Sequence, residues 1–215
     1  MDSTSEGVLN WPSHFPEKPV YVWIIGGSFQ GKSLIATSLA VSLGIPHVIN
    51  TDLIRNLLRS QRNNPPDWLG TSTYLLSEED LERQFEAVSD LLAKLLAIYR
   101  KRGESAIIEG MHVSLDLLLA EGIRPDTLIF GIDNTIRYEE RILSKVRTVR
   151  LNGRLDRYRD YGNRVLSIHR DLLMRVKIAA GQIMKFDNLH LIAEQIAKDV
   201  RNRFPFIARS SQNHS

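Results

Sequence analysis

YVWIIGGSFQGKSLIATSLA, residues 21–40, passes from an unbroken apolar run through a glycine-punctuated turn into a segment whose apolar residues recur every three or four positions. The first part reads as a strand buried on both faces and the last as a helix packed on one. Between them Gly26, Gly31, Lys32 and Ser33 satisfy G-x-x-x-x-G-K-[ST], at the junction where that pattern has mechanical meaning. Glycines there release the backbone so that successive N–H groups point inward around phosphate oxygens, and the following helix adds the positive end of its dipole. Gly26, Gly27, Ser28, Phe29, Gln30, Gly31, Lys32, Ser33 and Leu34 are therefore the candidate nucleotide-binding residues, with Lys32 on the β- and γ-phosphates and the Ser33 hydroxyl on a magnesium ion. A dinucleotide-binding turn is excluded, because GGSFQG lacks the G-x-G-x-x-G spacing.

Working outward, four further apolar runs follow at 47–50, 105–109, 128–133 and 182–186, which with 20–25 make five expected strands. Helical periodicity covers 32–43, 53–61, 78–102, 114–120, 136–146, 161–180 and 191–204, clearest in Leu81, Phe85, Val88, Leu92, Leu95, Leu96 and Tyr99. Strands such as VWII and SAIIE show little alternation, as in a parallel sheet covered on both sides, so the order of elements predicts a three-layer α/β/α domain over 20–209. Residues 1–19, proline-punctuated and aperiodic, are expected to be a loosely packed leader, and 210–215 a frayed tail. In such a sheet ligands bind along the carboxyl edge, where the strands hand over to loops.

Two other strands end in acids at that edge. INTDLIRNLLR places Asp52 after the second strand and Arg55 one helical turn on. Thr51 or Asp52 caps the next helix, and, compatibly with capping, Asp52 accepts the proton of an attacking hydroxyl while Arg55 holds an anionic group of the acceptor. IIEGMHV ends the third strand at Glu109, a carboxylate that needs a partner if buried. A structural cap or salt bridge supplies one; so does a magnesium-bound water or a substrate hydroxyl. His112 then points into the same cleft or caps the helix from Ser114.

Composition narrows the classes. The 215 residues contain no cysteine, which excludes disulfides, thiolate metal sites and cysteine nucleophiles, and a cytoplasmic setting is expected. No apolar run approaches the roughly 18 residues of a membrane-spanning helix, and the start lacks the pattern of a signal peptide. A net charge of +3 is too diffuse to imply nucleic acid, and the arginines crowded between Arg137 and Arg175 lack the interleaved aromatics of a stacking surface. They are either a solvated helical face or a set of phosphate forks. The stretch 147–160 has the position and content of a lid, with Asn152-Gly153 as a break. Arg154 is the candidate for transition-state charge, Arg150 for the nucleotide, and Arg147 and Arg157 for the acceptor, though spacing alone does not divide these roles. No N-K-x-D stretch supports a preference for GTP, and nothing fixes the oligomeric state.

Taken together, IIGGSFQGKS, LGIPHVINTDLIRNLLR, TSTYLL, AIIEGMHV, the stretch around RLDRY and KFDN resemble the P-loop small-molecule kinases, and within them the 2-phosphoglycerate kinases, over about residues 20–200. The resemblance implies a nucleoside- or shikimate-kinase-like fold and magnesium-ATP-dependent phosphorylation of a hydroxyl on a small phosphorylated acid. In the named reaction 2-phosphoglycerate gives 2,3-bisphosphoglycerate. It also implies that Lys32 and Ser33 are the nucleotide and metal positions, Asp52 and Arg55 the acceptor-side acid and arginine, and Glu109 and His112 a third-strand cluster. Leu34 departs from the pattern, standing where a second hydroxyl is usual, and Phe29-Gln30 replaces smaller residues. Sugars, sugar nucleotides, mevalonate phosphate and nucleic-acid ends are the alternative acceptors, and a non-catalytic nucleotide-dependent regulator is the alternative class.

Overall fold

A computed structural model describes residues 18–134, 155–185 and 188–209, with only the backbone course for 155–161 and 208–209. Five strands, β1 (Tyr21–Ile25), β2 (His47–Asn50), β3 (Ala106–Gly110), β4 (Thr127–Ile132) and β5 (Gln182–Met184), form one sheet in the order β2-β3-β1-β4-β5. All four pairings are parallel. The expected α/β architecture is the one observed.

β1 shows why its run is apolar throughout. Tyr21, Trp23 and Ile25 enter one core cluster, with residues of α4 (Glu78–Arg102), α5 (Leu115–Gly122) and α6 (Leu155–Ile178). Val20, Val22 and Ile24 enter the other, with α1 (Lys32–Leu43), α7 (Leu189–Arg203) and α8 (Pro205–Arg209). Alternation is present, but both faces are covered and both sets of side chains are excluded from water. At the amino edge of the sheet the Arg100 guanidinium lies over the Tyr21 ring and pairs with Glu121. Burial pushes the Tyr21 hydroxyl up to about 12, and it donates to the Glu104 carbonyl at 2.8 Å.

The structure shifts several expected boundaries. α2 (Thr51–Ser60) starts two residues early because Asn50, not Thr51 or Asp52, is its cap, accepting from Leu53 N at 2.9 Å. α6 begins at Leu155 rather than 161, so the second half of the expected lid stretch is helical. α3 (Asp67–Gly70) and a 3-10 turn at Thr73–Leu75 fill a region read as loop. These pieces are too short to show periodicity. The expected helix at 136–146 lies outside the described residues.

Candidate active site

The register of the sheet sets the site. Asn50 of β2 and Ile24 of β1 are both level with Glu109 of β3, so Asp52 and Gly26 each leave the same edge two residues further on. The phosphate loop then turns into α1 through Gly31, whose φ of 81° lies in the left-handed region. A Cβ at Gly31 would stand 2.6 Å from the Leu189 side chain of α7. Phe29 also has a positive φ of 64°, so the curl of the loop continues through a residue with a side chain.

Every end of this loop is held. Lys32 Nζ donates to the Gly27 carbonyl at 2.7 Å, folding the lysine over the loop. Gly27 N donates to His169 Nδ1 at 3.1 Å, and Ser28 N donates to the Tyr74 hydroxyl at 3.2 Å. Gln30 is fully buried; its Oε1 accepts from Asn134 N at 2.7 Å, just beyond β4. Its part in the loop is thus an internal tether through the side chain. Leu34 is half exposed on the first turn of α1.

Beside the loop, Glu109 is buried and accepts from Ser33 Oγ at 2.9 Å and, by a short contact, from Asn50 Nδ2. Protein groups therefore supply the partners that a carboxylate in this place requires. Ser33 and Glu109 present two hard oxygens at one point, a donor set suited to magnesium, which takes one or two protein oxygens and fills its shell with water and phosphate. Among the described residues no cluster of three histidines, cysteines or carboxylates forms a larger cage.

Asp52 is 53% exposed at the side chain, and Arg55 Nη2 lies 3.6 Å from its Oδ1. Arg55 is largely covered, donating to the Thr71 carbonyl at 3.3 Å. Gly110 ends β3 with a φ of 150°, and a Cβ there would overlap Thr51 Oγ1 at 1.8 Å. Only glycine lets β3 and the start of α2 come this close.

His112 does not cap α5; Ser114 does, accepting from Leu117 N. The imidazole is wholly buried. Its Nε2 is 2.8 Å from Thr73 Oγ1, and its Nδ1 faces Thr51 Oγ1 at 3.5 Å and Asp52 Oδ1 at 3.6 Å. Burial lowers its pKa to about 4, with Asp52 opposing and Arg55 and Lys32 assisting. His169 is equally buried, and its Nε2 is 3.5 Å from Asp133 Oδ1. Its pKa is lowered too, by burial first, against the pull of Asp133.

Lys32, Ser33, Asp52, Arg55, Glu109 and His112 thus gather at one edge. Arg147, Arg150 and Arg154 lie outside the described residues, as does the side chain of Arg157. Sequence reasoning passed over His169, Thr73, Gln84 and the cap Asn50. Tyr74 and Thr73 sit within TSTYLL, while His169 lies on a helix where nothing local marks it.

No protein-family model matches the chain. It is 33% identical over 152 residues to the 2-phosphoglycerate kinase of Methanocaldococcus jannaschii, covering 65% of this chain and 48% of that one. To the 2-phosphoglycerate kinase of Pyrococcus horikoshii it is 28% identical over 200 residues, covering 86% and 65%. An uncharacterised protein of Dictyostelium discoideum is 29% identical over 164 residues, 67% of this chain and 20% of that one. The chain spans less than two thirds of the length of each of these relatives. Among solved structures, a sugar kinase from a Janibacter species superposes with a TM-score of 0.55 at 17% identity, covering 91% of this chain and 99% of that one. Shikimate kinase from Acinetobacter baumannii, in complex with shikimate, gives 0.54 at 12% identity, covering 87% and 96%. Among the described residues no helix is long and apolar enough to cross a membrane. The chain is a distant homologue of the 2-phosphoglycerate kinases, built on the fold of the P-loop small-molecule kinases.

Proposed function

We propose that this chain transfers the γ-phosphoryl group of magnesium-ATP to a hydroxyl of a small phosphorylated acid, with 2-phosphoglycerate as the acceptor and 2,3-bisphosphoglycerate as the product. The observation that carries the reading is the common edge: an exposed carboxylate, Asp52, leaves the sheet at the same level as the phosphate loop, with Arg55 beside it. A nucleotide switch has no use for a carboxylate and an arginine set apart from the phosphate loop. A kinase needs both, one for the attacking hydroxyl and one for the acceptor's charge.

Lys32, released from the Gly27 carbonyl, neutralises the β- and γ-phosphate oxygens, and the loop amides hold the same group in place. Ser33 and Glu109 would hold the magnesium ion, which when bound supplies further positive charge to the phosphates. Asp52 accepts the proton of the acceptor hydroxyl as that oxygen closes on the γ-phosphorus, and Arg55 fixes an anionic group of the acceptor. Arginines of 147–160 add charge over the equatorial oxygens and exclude water, Arg150 and Arg154 toward ATP and Arg147 and Arg157 toward the acceptor.

The test is purified protein with magnesium-ATP and a panel of phosphoglycerates, other phosphorylated acids, sugars and oligonucleotides, read by ADP release and product mass. ADP release with 2-phosphoglycerate, giving a product heavier by one phosphoryl group, is the expected result. Turnover restricted to a sugar or an oligonucleotide would replace the acceptor assignment, and binding of ATP without turnover on any acceptor would remove the kinase reading.

A further inference from the structure

Behind Asp52 runs a hydrogen-bond chain whose donor directions are fixed from its far end. Gln84 of α4, fully buried, donates through Nε2 to the Trp68 carbonyl at 2.6 Å, so its Oε1 is left as an acceptor. Thr73 Oγ1 donates to that oxygen at 2.9 Å. Having spent its only proton, the hydroxyl accepts at its second contact, so the proton of the His112 ring lies on Nε2, 2.8 Å away. Nδ1 is then unprotonated and can only accept. It faces the Thr51 hydroxyl at 3.5 Å and Asp52 Oδ1 at 3.6 Å.

A lone pair turned toward an ionised carboxylate is an unprofitable contact at rest, but it becomes a hydrogen bond as soon as the carboxylate carries a proton. We propose that His112 is a positioning residue for the proton-transfer step: held by Gln84 and Thr73 with Nδ1 bare, it shares the proton that Asp52 takes from the acceptor hydroxyl. The inference rests on the kinase reading above. In the step itself the acceptor oxygen bonds to the γ-phosphorus and the bond from that phosphorus to the β,γ-bridging oxygen breaks, its electron pair leaving with ADP. The hydroxyl proton passes to Asp52 and comes to lie between Oδ1 and Nδ1, from which it returns to solvent when product leaves.

His112 is shielded from water. The charged groups around it are Asp52 and Arg55 on α2 and Lys32 on α1, while α4 turns Gln84 and the edge-on Phe85 ring toward it. Burial disfavours the full imidazolium, so the arrangement suits a shared proton rather than a stored charge. A purely structural histidine would serve equally well with either tautomer.

Two measurements on the full chain decide the matter. The first needs no acceptor: nitrogen-15 spectra of the histidine side chains are expected to show His112 protonated at Nε2 and bare at Nδ1 at neutral pH. A proton on Nδ1 would overturn the proposal. The second uses magnesium-ATP and 2-phosphoglycerate with Thr73→Val, which removes the acceptor that fixes the ring. The freed ring then donates Nδ1–H to Asp52, and kcat is expected to fall about 10- to 100-fold with the KM for ATP within about twofold. The acid limb of the kcat profile should move to lower pH, and Thr73→Ser should restore most of the loss. An unchanged kcat and pH profile in Thr73→Val, beside an inactive Asp52→Asn, would sink the proton-sharing role and leave the base in place. Normal turnover in Asp52→Asn would sink the base, and the role of His112 with it. Should Thr73→Val not fold, the spectra of the unsubstituted protein settle the tautomer, and the proposal with it, by themselves.

Discussion

Two buried histidines flank the candidate site, and they are wired in opposite senses. On the nucleotide side His169 accepts a backbone proton from Gly27 through Nδ1, leaving Nε2 directed at Asp133. On the Asp52 side His112 donates through Nε2 to Thr73 Oγ1 and turns Nδ1 toward Asp52. The first ring restrains main chain and is shaped by what the loop requires. The second is set by a side-chain network reaching back to α4 and faces a carboxylate that solvent can reach. Burial is the same in both cases, so burial alone does not separate scaffold from chemistry; the direction of the hydrogen bonds does.

The largest test of this contrast removes the groups that both rings serve. Lys32→Ala and Asp52→Asn are each expected to lower kcat/KM by about 10³-fold or more while leaving the melting temperature nearly unchanged. Near-normal turnover in Asp52→Asn would take the acid out of the base role. Gly110→Ala should follow, at roughly 2 to 4 kcal/mol of stability, because the added methyl meets Thr51 Oγ1. Chemical denaturation measures that cost, and Thr51→Ala in the same chain should recover part of it if the clash is its source.

Next in size is the dependence on pH. The folded state holds His112 near 4 against an ordinary value of 6.5, so between those values the unfolded chain binds a proton that the folded chain refuses. Stability is therefore full above about pH 6.5 and falls as pH drops toward 4, by on the order of 3 kcal/mol. The lowered pKa of His169 acts with the same sign. Denaturation midpoints measured across this range should be flatter for His112→Phe, and a slope of the opposite sign would show the ring charged in the fold. The smallest effect separates the two rings themselves. His169→Phe leaves the Gly27 N–H unpaired, costing about 1 to 3 kcal/mol. It should weaken ATP binding, by calorimetry, without the shift in the acid limb of kcat expected of Thr73→Val.

What the sequence discloses and what it conceals divides along the same line. The glycine pattern, the β1 run, the acid after β2 and the acid near the end of β3 are local features, each readable within about ten residues because strand, turn and helix carry their own periodicities. The parallel sheet follows from their alternation. By contrast, Gly27 meets His169 across 142 positions and Ser33 meets Glu109 across 76. No local pattern marks such contacts, which exist only once the strand order is set. α3 and the Thr73–Leu75 turn escaped for a different reason, being shorter than the window in which a helical period can be recognised. The cap at Asn50 was one residue from the expected position, since Asn, Thr and Asp stand in a row and all are good caps.

The ties on the phosphate loop have one more consequence. Gln30 is joined to Asn134, where the chain leaves β4, and Gly27 is joined to His169 on α6, the helix by which it returns. One loop is thus tied both to the chain just beyond β4 and, through a side chain, to the middle of α6. Whatever strains that loop pulls at once on the end of β4 and on α6, so cutting the tether at Gln30 or at His169 is expected to loosen the packing of both elements as well as the loop.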